Sequence, residues 1–210
     1  MDHAQDPAPT ITPTPTRTWE LRESVIIAAP PEDVYAAISD VRRMPEWSPE
    51  CVKVLLLRGR KTPLPTFIGF NRNGARRWFT VCRVTVAEAP AEFAFQVSVV
   101  GLPLAIWGFR IRPSGPHHAA AAAGSTHVTQ YWHDLRRGPL GAVADLLGRT
   151  VAGTSTAARV HVNRAGMTTT LHRLRDYLED AAEGARGRGV SQAGQDARDA
   201  PPPVIPHPGP

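Results

Sequence analysis

Tyr131, His133 and Asp134 are the residues whose types and spacing come nearest to acid–base chemistry. A phenol, an imidazole and a carboxylate can move a proton beside a carbonyl. All three fall in a strand-like run, Thr126 to Leu135, in which neighbouring residues point to opposite faces. His133 and Asp134 therefore cannot line one site. Tyr131 and His133 share a face, and with Val128, Gln130 and Trp132 assigned inward that face is the outer one. Tyr131 and His133 remain the catalytic candidates on these terms. His117 and His118 have no acidic or cysteine partner nearby, and His161 and His172 fall off an apolar helical stripe. No Ser–His–Asp order, phosphate-binding glycine loop or metal-ligand spacing is present, so neither a metal nor a cofactor is expected. Cys51 and Cys82 give no disulfide framework.

A second group of residues reads as a binding site. Strand alternation turns Trp78, Thr80 and Cys82 to one face, with Phe95 and Val97, Trp107 and Phe109, and Gln130 and Trp132 from the neighbouring runs. Phe70, Asn163 and Met167 are placed beside them. This is a mostly aromatic wall with a few polar atoms, the usual lining of a cavity for an apolar ligand. Asn163 stands out because it interrupts an apolar helical stripe. A buried amide needs a partner, which is a ligand, Gln130, backbone or water.

The elements that position these residues follow from period and punctuation. Strand-like runs are Trp19–Ala28, Cys51–Arg58, Thr66–Asn71, Arg76–Glu88, Glu92–Val100, Ala105–Arg112 and Thr126–Leu135. Pro30 and Pro31, then Glu32 and Asp33, open a short helix, and a second short helix spans Arg42 to Trp47. Asn73-Gly74 is a hairpin signal. Sequential strands with short turns make an antiparallel meander. From about Ser155 the stripe Val160, Asn163, Met167, Leu171, Leu174, Leu178 predicts a long helix with one buried face. That helix is long enough to cover one side of the sheet, which gives an α+β domain.

Met1 to Arg17 and 183–210 are rich in Pro with Thr, or in Gly, Ala, Arg and Pro, and are expected to be disordered tails. The domain is placed at 18–182. The chain carries a formal charge of +5. Its arginines are scattered in ones and twos, so a specific nucleic-acid partner is not expected. No signal-peptide pattern and no apolar run of membrane-spanning length is seen, which predicts a cytoplasmic location.

Ala29-Pro30-Pro31-Glu32-Asp33-Val34-Tyr35, Asp40 and Trp47-Ser48-Pro49 resemble the start of the polyketide cyclase/dehydrase and lipid-transport (SRPBCC) family of the START and Bet v 1-like superfamily. Glu88-Ala89-Pro90 before Phe93 and Phe95, the entry Gly124 to Val128, and Gly166-Met167 with Thr170, Leu171, Leu174 and Leu178 extend the match over about 18–182. The resemblance implies a helix-grip fold: a curved antiparallel sheet wrapped on a long C-terminal helix, with an internal apolar cavity. It implies no single activity, because fold does not fix function. Two departures are the long Ala-rich segment 113–124 and an extra amphipathic segment at 139–153. The latter is either a lid over the cavity or an extension of the helical cap.

Three functions stay open at this point. The first is a carrier or sensor of a lipid-like, polyketide-like or aromatic small molecule. The second is a polyketide cyclase, aromatase or dehydratase using Tyr131 or His133 on a poly-β-ketone. The third is binding to an anionic membrane or a partner protein. Oligomeric state is not legible.

Overall fold

The computed structural model describes residues 19–57, 64–115, 124–139, 141–143, 145–146 and 156–199, with side chains on the last helix described for 158–184. Strand β1 spans Glu20–Ile27. Helix α1, Pro31–Ser39, has proline at its start, Glu32 and Asp33 in its first turn, and Val34, Ala37 and Ile38 buried. A 3-10 turn, Val41–Arg43, leads into α2, Met44–Trp47. Six further strands follow: β2 Cys51–Leu57, β3 Thr66–Asn73, β4 Arg76–Glu88, β5 Glu92–Val99, β6 Leu102–Pro113 and β7 Thr126–Asp134. Helix α3, Thr156–Asp199, ends the described chain.

The strands form one antiparallel sheet in the order β1-β7-β6-β5-β4-β3-β2. Six of them are the expected meander. The first strand closes on the last, with Glu23 opposite Gln130 and Val25 opposite Val128. Strands β1 and β2 are therefore the two edge strands among the described residues. The hairpin signal at Asn73-Gly74 holds: Gly74 has φ +58°, a conformation glycine adopts without strain. Irregular register at Val84/Val86 and Val97/Ser98 bends β4 and β5, which increases the local twist and curvature of the sheet.

The concave face carries the core. Ile27, Val34, Ile38, Trp47, Phe67, Val84, Phe93 and Phe95 pack with Leu171, Leu174 and Leu178 of α3. A second cluster joins Leu21, Ala105, Trp132 and Met167. The two clusters occupy different ends of α3, and the space between them is where a cavity can persist. Helix α3 continues through 183 to Asp199, past the boundary at 182 drawn from composition. The other tail residues, 1–17 and 200–210, together with Thr18 and the loop histidines His117 and His118, lie outside the described residues.

Candidate functional site

A cavity of about 150 Å³ lies between the concave sheet, the α2–β2 connection and the first half of α3. Nine of the twelve side chains expected from the sequence line it: Trp78, Thr80, Cys82, Phe95, Val97, Trp107, Phe109, Gln130 and Asn163. Four elements of the sheet place the eight strand residues by simple alternation. Helix α3 supplies Asn163 by rotation. Arg159, Asn163, Gly166 and Thr170 step by 3 or 4 and face the cavity. Met167, Leu171, Leu174 and Leu178 form the adjoining stripe, which is buried in the core. The helix thus has two neighbouring faces, one apolar and one small or polar.

The remaining three expected lining residues are corrected. Phe70 points to the convex face, because it pairs with Phe79 there while its neighbours Gly69 and Asn71 face the cavity. Trp132 and Met167 do point inward, but they pack on each other's cluster and fill the second core instead of bordering the space. Trp132 meets Trp107 at 6.5 Å between ring centroids, so Trp107 separates it from the cavity side. Residues that the sequence reading passed over also line the space: Phe67, Cys51, Asn71, and the pair Glu50 and Arg159.

The catalytic candidates stand apart from the cavity. Tyr131 and His133 lie on the convex face, as their alternation with Gln130 and Trp132 requires, and neither borders the cavity. Tyr131 donates its hydroxyl hydrogen to Glu92 Oε1 at 2.7 Å, and its ring lies over Gly108 with the Arg110 guanidinium 4.9 Å from its centre. Burial, then the Glu92 carboxylate, hold its phenol well above the usual tyrosine value. His133 sits 5.0 Å from the Tyr131 ring. Together these contacts pack and tie strands β5, β6 and β7 from outside.

Polarity within the cavity is sparse and unevenly satisfied. Asn71 Nδ2 donates to Gly69 O at 3.1 Å and lies 3.4 Å from Thr80 Oγ1, which is 3.6 Å from Cys82 Sγ. That chain closes on itself. Gln130 is 6 % exposed, and its Oε1 is buried without a hydrogen-bond partner among the described residues. Asn163, 4 % exposed, has no side-chain hydrogen bond to another described residue. At the partly buried rim Arg159 grips Glu50 with two bonds, Nη1 to Oε1 at 2.9 Å and Nη2 to Oε2 at 2.5 Å. The guanidinium carbon of Arg159 is also 5.8 Å from the Trp78 ring centre.

Burial pushes the Cys51 thiol up to about 11 and the Cys82 thiol up to about 12. Both are neutral at physiological pH and act as small apolar groups. Glu50 is the one carboxylate among the described lining side chains, and Arg159 holds it. Among the described residues no three His, Cys, Asp or Glu side chains converge as metal ligands would. None of the described residues of 138–146 borders the cavity, and Arg136 pins that segment to the end of β7 by bonding both Asp134 and Asp145.

A seven-stranded sheet gripping a long helix over an aromatic cavity defines a helix-grip, Bet v 1-like domain. The chain belongs to the polyketide cyclase/dehydrase and lipid transport family, whose sequence model matches residues 18–179. Solved structures share the fold. The Zhui aromatase/cyclase from a Streptomyces species superposes with a TM-score of 0.56 at 15 % identity, over 76 % of this chain and 93 % of that one. The di-domain ARO/CYC StfQ of the steffimycin biosynthetic pathway gives 0.54 at 13 % identity, over 78 % of this chain and 51 % of StfQ, so this chain spans about half of StfQ. A Polyketide_cyc-like protein from Corynebacterium glutamicum gives 0.52 at 25 % identity, over 81 % and 97 %. No curated protein matches. Among the described residues no helix is long and apolar enough to cross a membrane.

Proposed function

We propose that this protein binds a small, largely apolar molecule carrying a hydrogen-bonding end, and that it does so as a carrier or sensor. The observation that supports this most is Gln130, whose buried Oε1 has no hydrogen-bond partner among the described residues. An unmet buried acceptor costs about 1–3 kcal/mol. A ligand O–H or N–H directed at Gln130 removes that cost, and Asn163 is available to bond the same end. The aromatic walls supply the rest of the affinity through Trp78, Phe95, Trp107 and Phe109.

Size narrows the ligand class. A cavity of roughly 150 Å³ is about the size that accommodates a benzene-sized molecule. One ring, or the leading part of a longer chain that leaves by the rim, matches that volume. A folded multi-ring chain does not fit without expansion.

The second reading, a polyketide aromatase or cyclase, is favoured by the names of the Zhui and StfQ structures. It would have to proceed without Tyr131 and His133, which are on the other side of the sheet. Glu50 would be its proton acceptor only after leaving Arg159.

Trp78 and Trp107 border the space, so intrinsic fluorescence reports occupancy. Titration with a monocyclic phenol and with its parent arene is expected to show binding of both, the phenol more tightly. Gln130→Leu should weaken the phenol about tenfold or more and leave the arene nearly unchanged. Equal loss for both, or no saturable signal from either, contradicts the reading.

A further inference from the structure

The convex surface of β2, β3 and β4 differs from the rest of the molecule in charge. Residues 51–87 contain eight Lys and Arg and no Asp or Glu. Elsewhere the described arginines are mostly paired: Arg22 with Glu20, Arg42 with Asp40, Arg43 with Glu46, Arg110 with Glu92, Arg136 with Asp134, Arg164 with Glu23. On β2–β4, Lys53, Arg72, Arg77 and Arg83 are exposed and form no ion pair with a described residue. Scattered in sequence, they are gathered by the sheet register. Lys53 stands beside Phe70 and Phe79, Arg72 beside Arg77, and Arg83 follows Val81 along the same face.

Between these cations the same face exposes apolar side chains. Leu55, Ile68 and Val81 form one cross-strand row. Phe79 is 59 % exposed and Leu55 48 %. A large exposed ring and aliphatic chains set among unpaired cations are unusual on a soluble surface, and such patches mark interaction sites. Strand β2 is also one of the sheet's two edge strands, so among the described residues no strand flanks its outer side.

We infer that this face docks on the surface of an anionic lipid bilayer. Two features select that occupant. Four unpaired cations complement a negatively charged headgroup layer, and the apolar side chains between them have the depth of the interfacial zone to enter. A second copy of the chain would set the same unpaired cations against each other. Single-stranded nucleic acid would satisfy the cations and stack on Phe79, but it has no use for Leu55 and Val81. The cavity rim is close by: Cys51, Asn71 and Trp78 occupy the inner side of the row next to Phe70 and Phe79. In a docked domain the cavity lies across the sheet from the bilayer. The inference stands whatever the cavity holds.

The test is co-sedimentation of the full chain with phosphatidylcholine vesicles, with and without phosphatidylserine. Binding to the phosphatidylserine vesicles alone, falling as salt rises, is the expected result. Arg77→Glu/Arg83→Glu should lower partitioning at least about twenty-fivefold, at about fivefold per cation. Arg173→Glu, on the exposed side of α3, should leave it within about twofold. All three positions are exposed, so unchanged melting is expected and is checked alongside. Equal partitioning onto both vesicle types, or onto neither, overturns the inference. So does binding of a single-stranded oligonucleotide without vesicle binding, or formation of a dimer that the double variant dissolves.

Discussion

Arg159 on α3 and Glu50 on the α2–β2 connection are joined by a two-pronged ion pair across the cavity rim. Each side chain is about one-fifth exposed, 20 % for Arg159 and 23 % for Glu50. The pair therefore neutralises the rim and fastens the helix to the edge of the sheet at the same point. A ligand with a carboxylate would have to compete with Glu50 for the guanidinium.

Replacing Glu50 changes that competition. Glu50→Gln leaves Arg159 charged, without its anion, and facing the cavity. The expected outcome is a gain of about tenfold in affinity for an aromatic carboxylate over the matching neutral arene, read by tryptophan fluorescence. The neutral ligand serves as the reference, because loosening of the rim affects both. An unchanged ratio would mean that Arg159 does not reach bound ligand.

The cysteines give a pH signature. Their folded values are raised to about 11 for Cys51 and about 12 for Cys82, whereas unfolded thiols ionise near 8.5. A raised folded value means that the unfolded chain releases its protons first as pH rises. Stability is therefore full below about 8.5 and declines between about 8.5 and 12. Alkylation of the native protein by iodoacetamide should keep accelerating above pH 9, where an ordinary thiol levels off. A rate that plateaus by pH 9 would show an accessible thiolate and contradict the burial.

Tyr131 and Gly108 make a structural prediction that separates packing from catalysis. The Tyr131 ring occupies the space a Cβ at position 108 would need. Gly108→Ala is expected to destabilise by about 1–3 kcal/mol through overpacking, lowering Tm by about 2–4 °C per kcal/mol. Tyr131→Phe removes only the bond to Glu92 and should cost about 0.5–1.5 kcal/mol. Both variants should bind cavity ligands like the parent once folded. Loss of binding in folded Tyr131→Phe would return this residue to the site.

The fold was legible because each element carries its own periodic signal. Arg76–Glu88 alternates cleanly and is β4 to the residue, and the stripe from Val160 to Leu178 is the buried face of α3. The cavity lining followed from the same alternation. It failed at Phe70, since β3 has glycine at position 69 and an aromatic on each face, so hydrophobicity alone does not choose the inner side. It failed at Trp132 and Met167 because facing inward does not distinguish a cavity wall from packed core. The Glu50–Arg159 pair joins residues 109 positions apart, and no local pattern announces such a partner. One signal was available: Arg159 lies four residues before Asn163, and Gly166 and Thr170 continue that small or polar face.

The most direct measurement is thermal melting of Gln130→Leu/Asn163→Leu with and without a saturating monocyclic phenol. If the two amides serve a ligand, replacing them with apolar groups leaves the free protein at least as stable, because an unmet buried acceptor is removed. The ligand-induced rise in Tm seen for the parent should then shrink severely. A free double variant that melts several degrees lower, together with an undiminished ligand-induced rise, would show that Gln130 and Asn163 hold the fold together and bind nothing.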